Sequence, residues 1–342
     1  MMWLTWRQFR AQAWVGLSVL AAAAVALAVT GPDLARMFDA SGIVGCVARG
    51  DCGSLTTTFL DQVGHNAPDN VLNHLSPWVM FAVPSLIGMF WGAPLVTREL
   101  ETGSFRMVWN QSVTRTRWLA VKLALIGLAS MATAGLLSLA FFWWSSPVER
   151  LDMRRMTPGT FGATGIVPVG YAAFAFAVGV AAGILIRRTL PAMAVTLAVT
   201  VGAQACMALW LRARLIAPLR TAVPLSDAVL SQFDVSPKTG RFIVYAGGNQ
   251  PQGIPGAWIL SSPQTITTPD HVASQACLQA LGRDQGAPTA CIADLARLHL
   301  TQTVTYEPLS RYWTLQWYET GIFLAAALAL AGFSLWRVAR RG

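Results

Sequence analysis

Six runs of about twenty mostly apolar residues dominate this chain, each long enough to cross the hydrocarbon core of a bilayer as a helix. We place them at residues 12–30, 77–97, 119–144, 166–186, 190–211 and 316–336. Inside lipid every backbone donor and acceptor must be satisfied within its own segment, so such runs read as helices. Composition agrees: 12% of residues are charged, half the roughly 25% of soluble domains, and 54% are hydrophobic. The fold class that follows is an all-α polytopic membrane protein with six transmembrane helices. Arg7 and Arg10 ahead of the first run would also suit a secretory signal, but the stretch from Ala11 to Thr30 exceeds the apolar core of about 7 to 15 residues usual there. We read it as an uncleaved helix.

The spans divide the chain into alternating compartments, and Lys and Arg are unevenly shared between them. One side holds Arg7, Arg10, Arg98, Arg106, Arg115, Arg117, Lys122, Arg187, Arg188, Arg337, Arg340 and Arg341, with Glu99 and Glu101 as its acids. On the other side, acids nearly balance bases over much longer loops. Short basic loops stay in the cytoplasm, which places both termini there. The net charge of +9 is explained by orientation and attraction to anionic lipid, with no need of nucleic acid. Cys46, Cys52, Cys277 and Cys291 then lie outside, where disulfides persist, and Cys206 falls in a span. Proximity suggests Cys46 with Cys52 and Cys277 with Cys291, although four cysteines allow three connectivities.

The loops carry little regular signal. Residues 31–76 are polar and without sustained periodicity, so no element is assigned there. Residues 212–315 are long enough for a mixed α/β extracellular cap between helices five and six. Within it, "TPDHVASQACLQALG" reads as a helix with Thr268 as N-cap, Pro269 at the first position, Asp270 in the first turn and Gly282 as terminator. "RFIVYAGG", "AWILSS" and "TQTVTYEP" read as strands, and "AGGNQPQGIPG" as a loop. Spans four and five are separated only by Arg187, Arg188 and Thr189, which demands a tight hairpin. Trp3, Trp6, Arg7 and Arg10 form an aromatic and basic strip suited to the headgroup layer, or simply an ordinary lead-in to the first span.

Several chemistries are missing from the sequence. No G-x-x-x-x-G-K-[ST] occurs, and the two lysines, Lys122 and Lys238, stand in unsuitable settings for one. His65, His74, His271 and His299 lie in loops without metal-ligand spacing, so no metal site is assigned. Ionisable residues are absent from mid-span, where they usually mark ion or proton paths. Glu319 reads as an outer-boundary residue, and Lys122 as one that snorkels to the inner boundary. Of the polar groups within the spans, Ser85, Ser130, Thr133, Thr196 and Thr200 are expected mainly to bond their own backbone or a neighbouring helix, and Gln204 is the best cavity-facing candidate. Gly88 with Gly92, and Gly179 with Gly183, fit the small-x-x-x-small pattern of close helix contact. Pro84 and Pro94 should bend the second span.

The stretch "RELETGSFRMVWNQSVTRTRW", residues 98–118, is too polar to span and too long for a turn. Thr102 and Gly103 break its first helix, and "SFRMVWNQSVTRTRW" reads as the start of another along the interface. Arg117 and Trp118 read as anchors of the third span. With six spans, termini inside and a large external loop after span five, "LTWRQFRAQ" and "RELETG…WNQSVTRTRWLAVKL" resemble ABC transporter permeases of the second export type (ABC-2-like), particularly actinobacterial members. The 23 Arg against two Lys fit such a genome. The likeness covers essentially the whole chain, and the segment at 98–118 is its most specific part.

The resemblance implies one permease domain over 1–342 in the plasma membrane, paired with a second permease chain and docked on a separate cytoplasmic ABC ATPase that binds ATP and Mg. It implies a coupling segment at 98–118, in which Arg98, Glu99, Glu101, Gly103, Arg106, Trp109 and Asn110 contact or position the ATPase. It also implies cavity lining from spans two and five, with Met89, Thr196, Thr200 and Gln204 as candidates. On this reading the chain is not itself an enzyme; it carries no cofactor and exports amphiphilic or hydrophobic substrates. The rival is a membrane-embedded enzyme or sensor with its site in the extracellular cap, but the external His, Cys, Ser and Asp show no catalytic spacing.

Overall fold

The fourth apolar run supplies the centre of the bundle because it is made almost wholly of small and apolar residues. In the computed structural model, which describes residues 2–43, 53–102, 114–152, 154–225, 233–236, 239, 241–245, 256–263, 265–281 and 289–340, this run is helix α7, Val167–Ile186. It is buried on nearly every side, as a helix apolar all round must be. Around it stand α1 (Met2–Ala40), α3 (Ala67–Ile87), α4 (Ala93–Thr102), α5 (Arg115–Asp152), α8 (Thr189–Cys206) and α12 (Tyr312–Arg340). Short helices α2 (Gly53–His65), α6 (Pro158–Phe161) and α9 (Arg212–Leu215) complete this unit, which comprises Met1–Leu215 and Trp313–Gly342. Among the described residues six stretches are long and apolar enough to cross a membrane: Ala13–Ala40, Asp69–Glu99, Thr116–Val148, Val167–Ile186, Thr189–Leu215 and Leu309–Arg340. Each overlaps one of the six runs read from the sequence.

Two of these stretches are interrupted by a π-helical turn. In the second, Gly88–Gly92 forms one between α3 and α4 and ends just before Pro94. Proline has no N–H and clashes with the carbonyl four residues earlier, and the wider turn resolves both problems without breaking the span. The fifth stretch has its π turn at Met207–Leu211, between α8 and α9. An uninterrupted α-helix would turn Arg212 about 80° away from Gln204. The slower rotation of the π turn takes most of that back and keeps Arg212 on the buried face with Thr196, Thr200 and Gln204.

The two glycine pairs meet each other. A Cβ on Gly88 would lie 2.5 Å from the Ala175 carbonyl oxygen, and one on Gly92 would lie 2.6 Å from that of Phe176. A Cβ on Gly179 would strike the Gly88 carbonyl oxygen and come within 2.7 Å of the Ala93 nitrogen, while Gly183 sits against the Ala93 carbonyl. Backbone therefore touches backbone over two turns, the close approach that small residues permit in lipid.

The stretch at 31–76, given no element from sequence, is largely helical where described. Helix α1 continues through Gly31 and Pro32 because α5 holds it there: Trp144 Nε1 donates to Thr30 Oγ1 at 2.9 Å, and Gly31 leaves room for the Trp143 ring. Beyond, Leu34 and Phe38 are buried against Phe59 and Val63 of α2, with Phe38 and Phe59 edge to face at 5.7 Å.

The second unit, Ile216–Tyr312, is a small α/β element. Strands β1 (Leu219–Pro224), β6 (Thr301–Glu307) and β4 (Trp258–Ser261) form one antiparallel sheet in the order β1-β6-β4. Strands β2 (Phe233–Val235), β3 (Arg241–Tyr245) and β5 (Thr265–Val272) form another in the order β2-β3-β5. Helices α10 (Gln275–Leu281) and α11 (Thr289–Arg297) contribute Cys277, Cys291 and Leu295 to a core with Phe242 and Val244. The strands read from "RFIVYAGG", "AWILSS" and "TQTVTYEP" are present. The helix expected to start at Thr268 instead begins at Gln275. Residues 268–272 belong to β5, whose pairing with β3 takes precedence and shifts register between Arg241 and Ile243 past Pro269. Ser274 is the working cap, its Oγ accepting from the Cys277 N–H at 3.2 Å.

Replacing Gly179 by Val should destabilise the helical unit by about 1–3 kcal/mol or more, because only backbone is available to move. Gly202→Val, where an added Cβ meets nothing within 4 Å, is the control and should leave the detergent-solubilised protein unchanged in thermal unfolding.

Candidate functional site

The last turn of α4, the first turns of α5 and the α7–α8 connection converge at one end of the helical unit. Thr114 begins α5 by capping, its Oγ1 accepting from the Arg117 N–H at 3.4 Å. Two turns on, Lys122 Nζ donates to Glu99 Oε1 at 2.6 Å and lies 4.4 Å from the centroid of the Trp118 ring. Both ionic partners are buried. Lys122 therefore does not snorkel: it finds a carboxylate one helix away, which keeps the charge compensated where water is excluded. Trp118 is likewise no boundary anchor but a core residue packed with Trp91, Leu119 and Ile184. Glu99 Oε2 is buried without a hydrogen-bond partner.

Glu101 takes a different partner. Its Oε1 accepts from the Thr189 N–H at 2.8 Å and its Oε2 from the Thr189 hydroxyl at 2.8 Å, so the carboxylate sits at the positive N-terminus of α8. The same hydroxyl lies 2.9 Å from Thr97 Oγ1. Arg187 takes a left-handed backbone (φ 59°) and Arg188 an extended one, which turns the chain in two residues, as so short a connection requires. The Thr189 hydrogen bonds, with Arg188 nearby, hold the Glu101 carboxyl below its ordinary range.

Of the residues assigned to the coupling segment, Arg98, Glu99 and Glu101 are thus placed, with Arg98 exposed. Gly103, Arg106, Trp109 and Asn110, and the second helix read from "SFRMVWNQSVTRTRW" up to residue 113, lie outside the described residues. Thr196, Thr200 and Gln204 share the buried face of α8, and the two hydroxyls bond the Ala192 and Thr196 carbonyls at 2.7 Å. Met89, in the π turn at 88–92, is half-buried. Cys277 and Cys291 form the paired disulfide; Cys46 and Cys52 lie outside the described residues, and Cys206 is a free thiol. No group of three or more His, Cys, Asp or Glu suited to a metal occurs among the described residues.

A second polar cluster went unread in the sequence. Arg212 Nε donates to Glu319 Oε2 at 2.8 Å and Nη2 to Oε1 at 3.0 Å, a two-point contact with both side chains fully buried. Tyr171 donates its hydroxyl to the same carboxylate, and Arg212 Nη1 reaches the Pro158 carbonyl at 3.1 Å while the guanidinium covers the Phe161 ring at 4.3 Å. One turn before Glu319, Gln316 Oε1 accepts from the Ile166 and Val167 N–H groups at 3.0 and 3.1 Å, capping α7, and its Nε2 donates to the Phe161 and Thr164 carbonyls. Glu319, read as an outer-boundary residue, is buried within the protein, and Arg212 belongs to the fifth stretch rather than to the loop after it. The signal was present: span five ends and span six begins at the same level, and each carries one charge of opposite sign there.

A sequence profile of the family described as ABC-2 membrane transporter related matches residues 17–212, more than half of the 342-residue chain. The chain belongs to that family and is the membrane subunit of an ABC transporter, a class whose transport is powered by a partner ATPase. Comparisons with curated proteins and with solved structures find no match.

Lys122→Met, which strands a buried carboxylate, should cost about 3–5 kcal/mol, whereas Glu99→Leu with Lys122→Met should recover most of it; chemical denaturation of wild type, each single variant and the double variant checks this. Because the Glu101 pKa is depressed in the folded state, its contribution is present above the unfolded pKa and fades as pH falls through the folded one. Glu101→Gln should flatten that part of the stability profile at acid pH.

Proposed function

We propose that this chain is the permease half of an ATP-driven exporter of amphiphilic or hydrophobic compounds, with the segment at 98–118 as the surface that couples it to a separate cytoplasmic ATPase. The observation that carries the reading is the fixed footing at the segment's two ends. Glu99 ties α4 to Lys122 of α5, and Glu101 ties α4 to Thr189 at the start of α8. A displacement applied between residues 103 and 113 would thus reach α5 through one contact and α8 through the other, moving elements that have discrete packed arrangements.

In this reading Glu99 and Glu101 position the segment, and Arg106, Trp109 and Asn110 supply contacts to the ATPase. The distribution of Lys and Arg puts this end and both termini in the cytoplasm and the unit at 216–312 outside. Two such chains, identical or not, form the pathway, with Met89 toward the cargo; Gln204, the cavity-facing candidate from sequence, is buried within the chain and does not line it. An apolar interior suits amphiphiles better than sugars or ions. The motif likeness groups the chain with actinobacterial members of the family.

The test is co-purification from native membranes in mild detergent with an ATPase assay, comparing wild type with Arg106→Glu plus Asn110→Arg. The expected result is a nucleotide-hydrolysing subunit that accompanies wild type and is lost from a variant of unchanged thermal stability. A variant that retains the ATPase fully, or a wild type that never brings one down, would overturn the coupling assignment.

A further inference from the structure

Helix α1 is the least buried of the six membrane-capable stretches and rests on the rest of the unit along a narrow seam. Gly16 is a point of close approach: a Cβ there would lie 2.7 Å from Cζ2 of Trp91. Beside this contact, α1, α3 with its π turn, and α5 leave a groove of about 250 Å³. Val15 and Val19 form one wall, Leu86 and Phe90 a second, and Leu137 a third, with Trp91 as floor. The one hydroxyl among the lining side chains, that of Thr133, donates to the Ala129 carbonyl at 2.8 Å. The lining is almost wholly apolar, and apolar cavities stay dry and take hydrocarbon. Val15, Val19, Leu86 and Phe90 are exposed, so the groove opens sideways on the flank of stretches that cross the membrane.

Charge lies beyond one end of the groove. Arg98 follows Trp91 by seven residues, about 10 Å along the helix axis, and Arg10 precedes Gly16 by six, about 9 Å in the same direction, because α1 runs antiparallel to the second stretch. Ala13 and Leu95, which lie between these arginines and the groove, both pack on the cluster that contains Trp91. Both arginines are exposed. Hydrocarbon walls with basic side chains at one end complement an anionic phospholipid.

We propose that this groove binds one acyl chain of an anionic phospholipid, whose headgroup lies at the level of Arg10 and Arg98. The site depends on Gly16 for the seam and on the π turn at 88–92, which sets Phe90 on the rim and Trp91 on the floor. It is independent of the direction and the cargo of transport.

The experiment reconstitutes the full chain in nanodiscs containing phosphatidylglycerol with a photoreactive diazirine in one acyl chain, and maps the cross-links by peptide mass spectrometry. Labelling should be several-fold higher in peptides covering 15–19 and 83–91 than at Val25, Val29 and Leu328, which are exposed apolar residues outside the groove. Excess unlabelled phosphatidylglycerol should compete several-fold better than phosphatidylcholine, and Arg10→Gln with Arg98→Gln should abolish that preference. Leu137→Trp, which fills the groove, should remove the excess label. Equal labelling of groove and flank would overturn the site, as would competition by a hydrophobic drug but not by phospholipid. Equal competition by the two lipids would overturn the assignment of an anionic headgroup.

Discussion

Backbone contact between the π turn at Gly88–Gly92 and the middle of α7 is the constraint on which the helical unit depends. Lipid gives helices no hydrophobic reason to associate, so association rests on dispersion and close fit, both of which require the backbones to come near. Gly88, Gly92, Gly179 and Gly183 remove the side chains that would prevent this. Once α7 is held against the second stretch, its remaining faces are available to α5, α8 and α12. Tyr171 and Phe174 meet Phe323 of α12 edge to face at 4.7 and 5.2 Å, and Gly170 admits the Thr320 backbone.

Two buried polar clusters then hold the two ends of this packed centre. At one end Glu99 and Lys122 join α4 to α5, and Glu101 joins α4 to α8. At the other, Arg212, Glu319, Tyr171 and Gln316 join the fifth stretch, the sixth, α7 and the segment around Pro158–Phe161. A charge withdrawn from water is tolerated only with a partner in good geometry, and that geometry exists in one arrangement of the helices. The clusters therefore specify which helix lies beside which, while the glycines determine how near.

Much of this was legible in the residues. Twenty-residue apolar runs admit only helices in lipid, so six spans were countable, and the two-residue turn at Arg187–Arg188 followed from where two of them stop. The glycine pairs were visible as pairs, but not that they face each other, since spacing on a helix says nothing of its partner. The helix at Gln275–Leu281 was seen but started too early: Thr268 and Pro269 carry the local signature of a cap, and strand pairing with Arg241–Tyr245, decided by residues far along the chain, overrode it. Residues 31–40 were missed because the stretch is polar and without sustained periodicity, whereas Trp143 packs on Gly31 and Trp144 bonds Thr30, which holds the helix on.

The sequence by itself determined the membrane class, the number of spans and the family resemblance, because each depends on local length, spacing or motif; it left the partner of Cys277 open among three connectivities. Only the tertiary structure decided what the rare charges are for. Glu99, Glu101, Lys122, Arg212 and Glu319 read along the chain as boundary or docking residues. In three dimensions Glu99, Lys122, Arg212 and Glu319 are buried and paired and Glu101 bonds Thr189, because the strength of an ionic contact depends on which helix happens to be opposite, and no local pattern contains that.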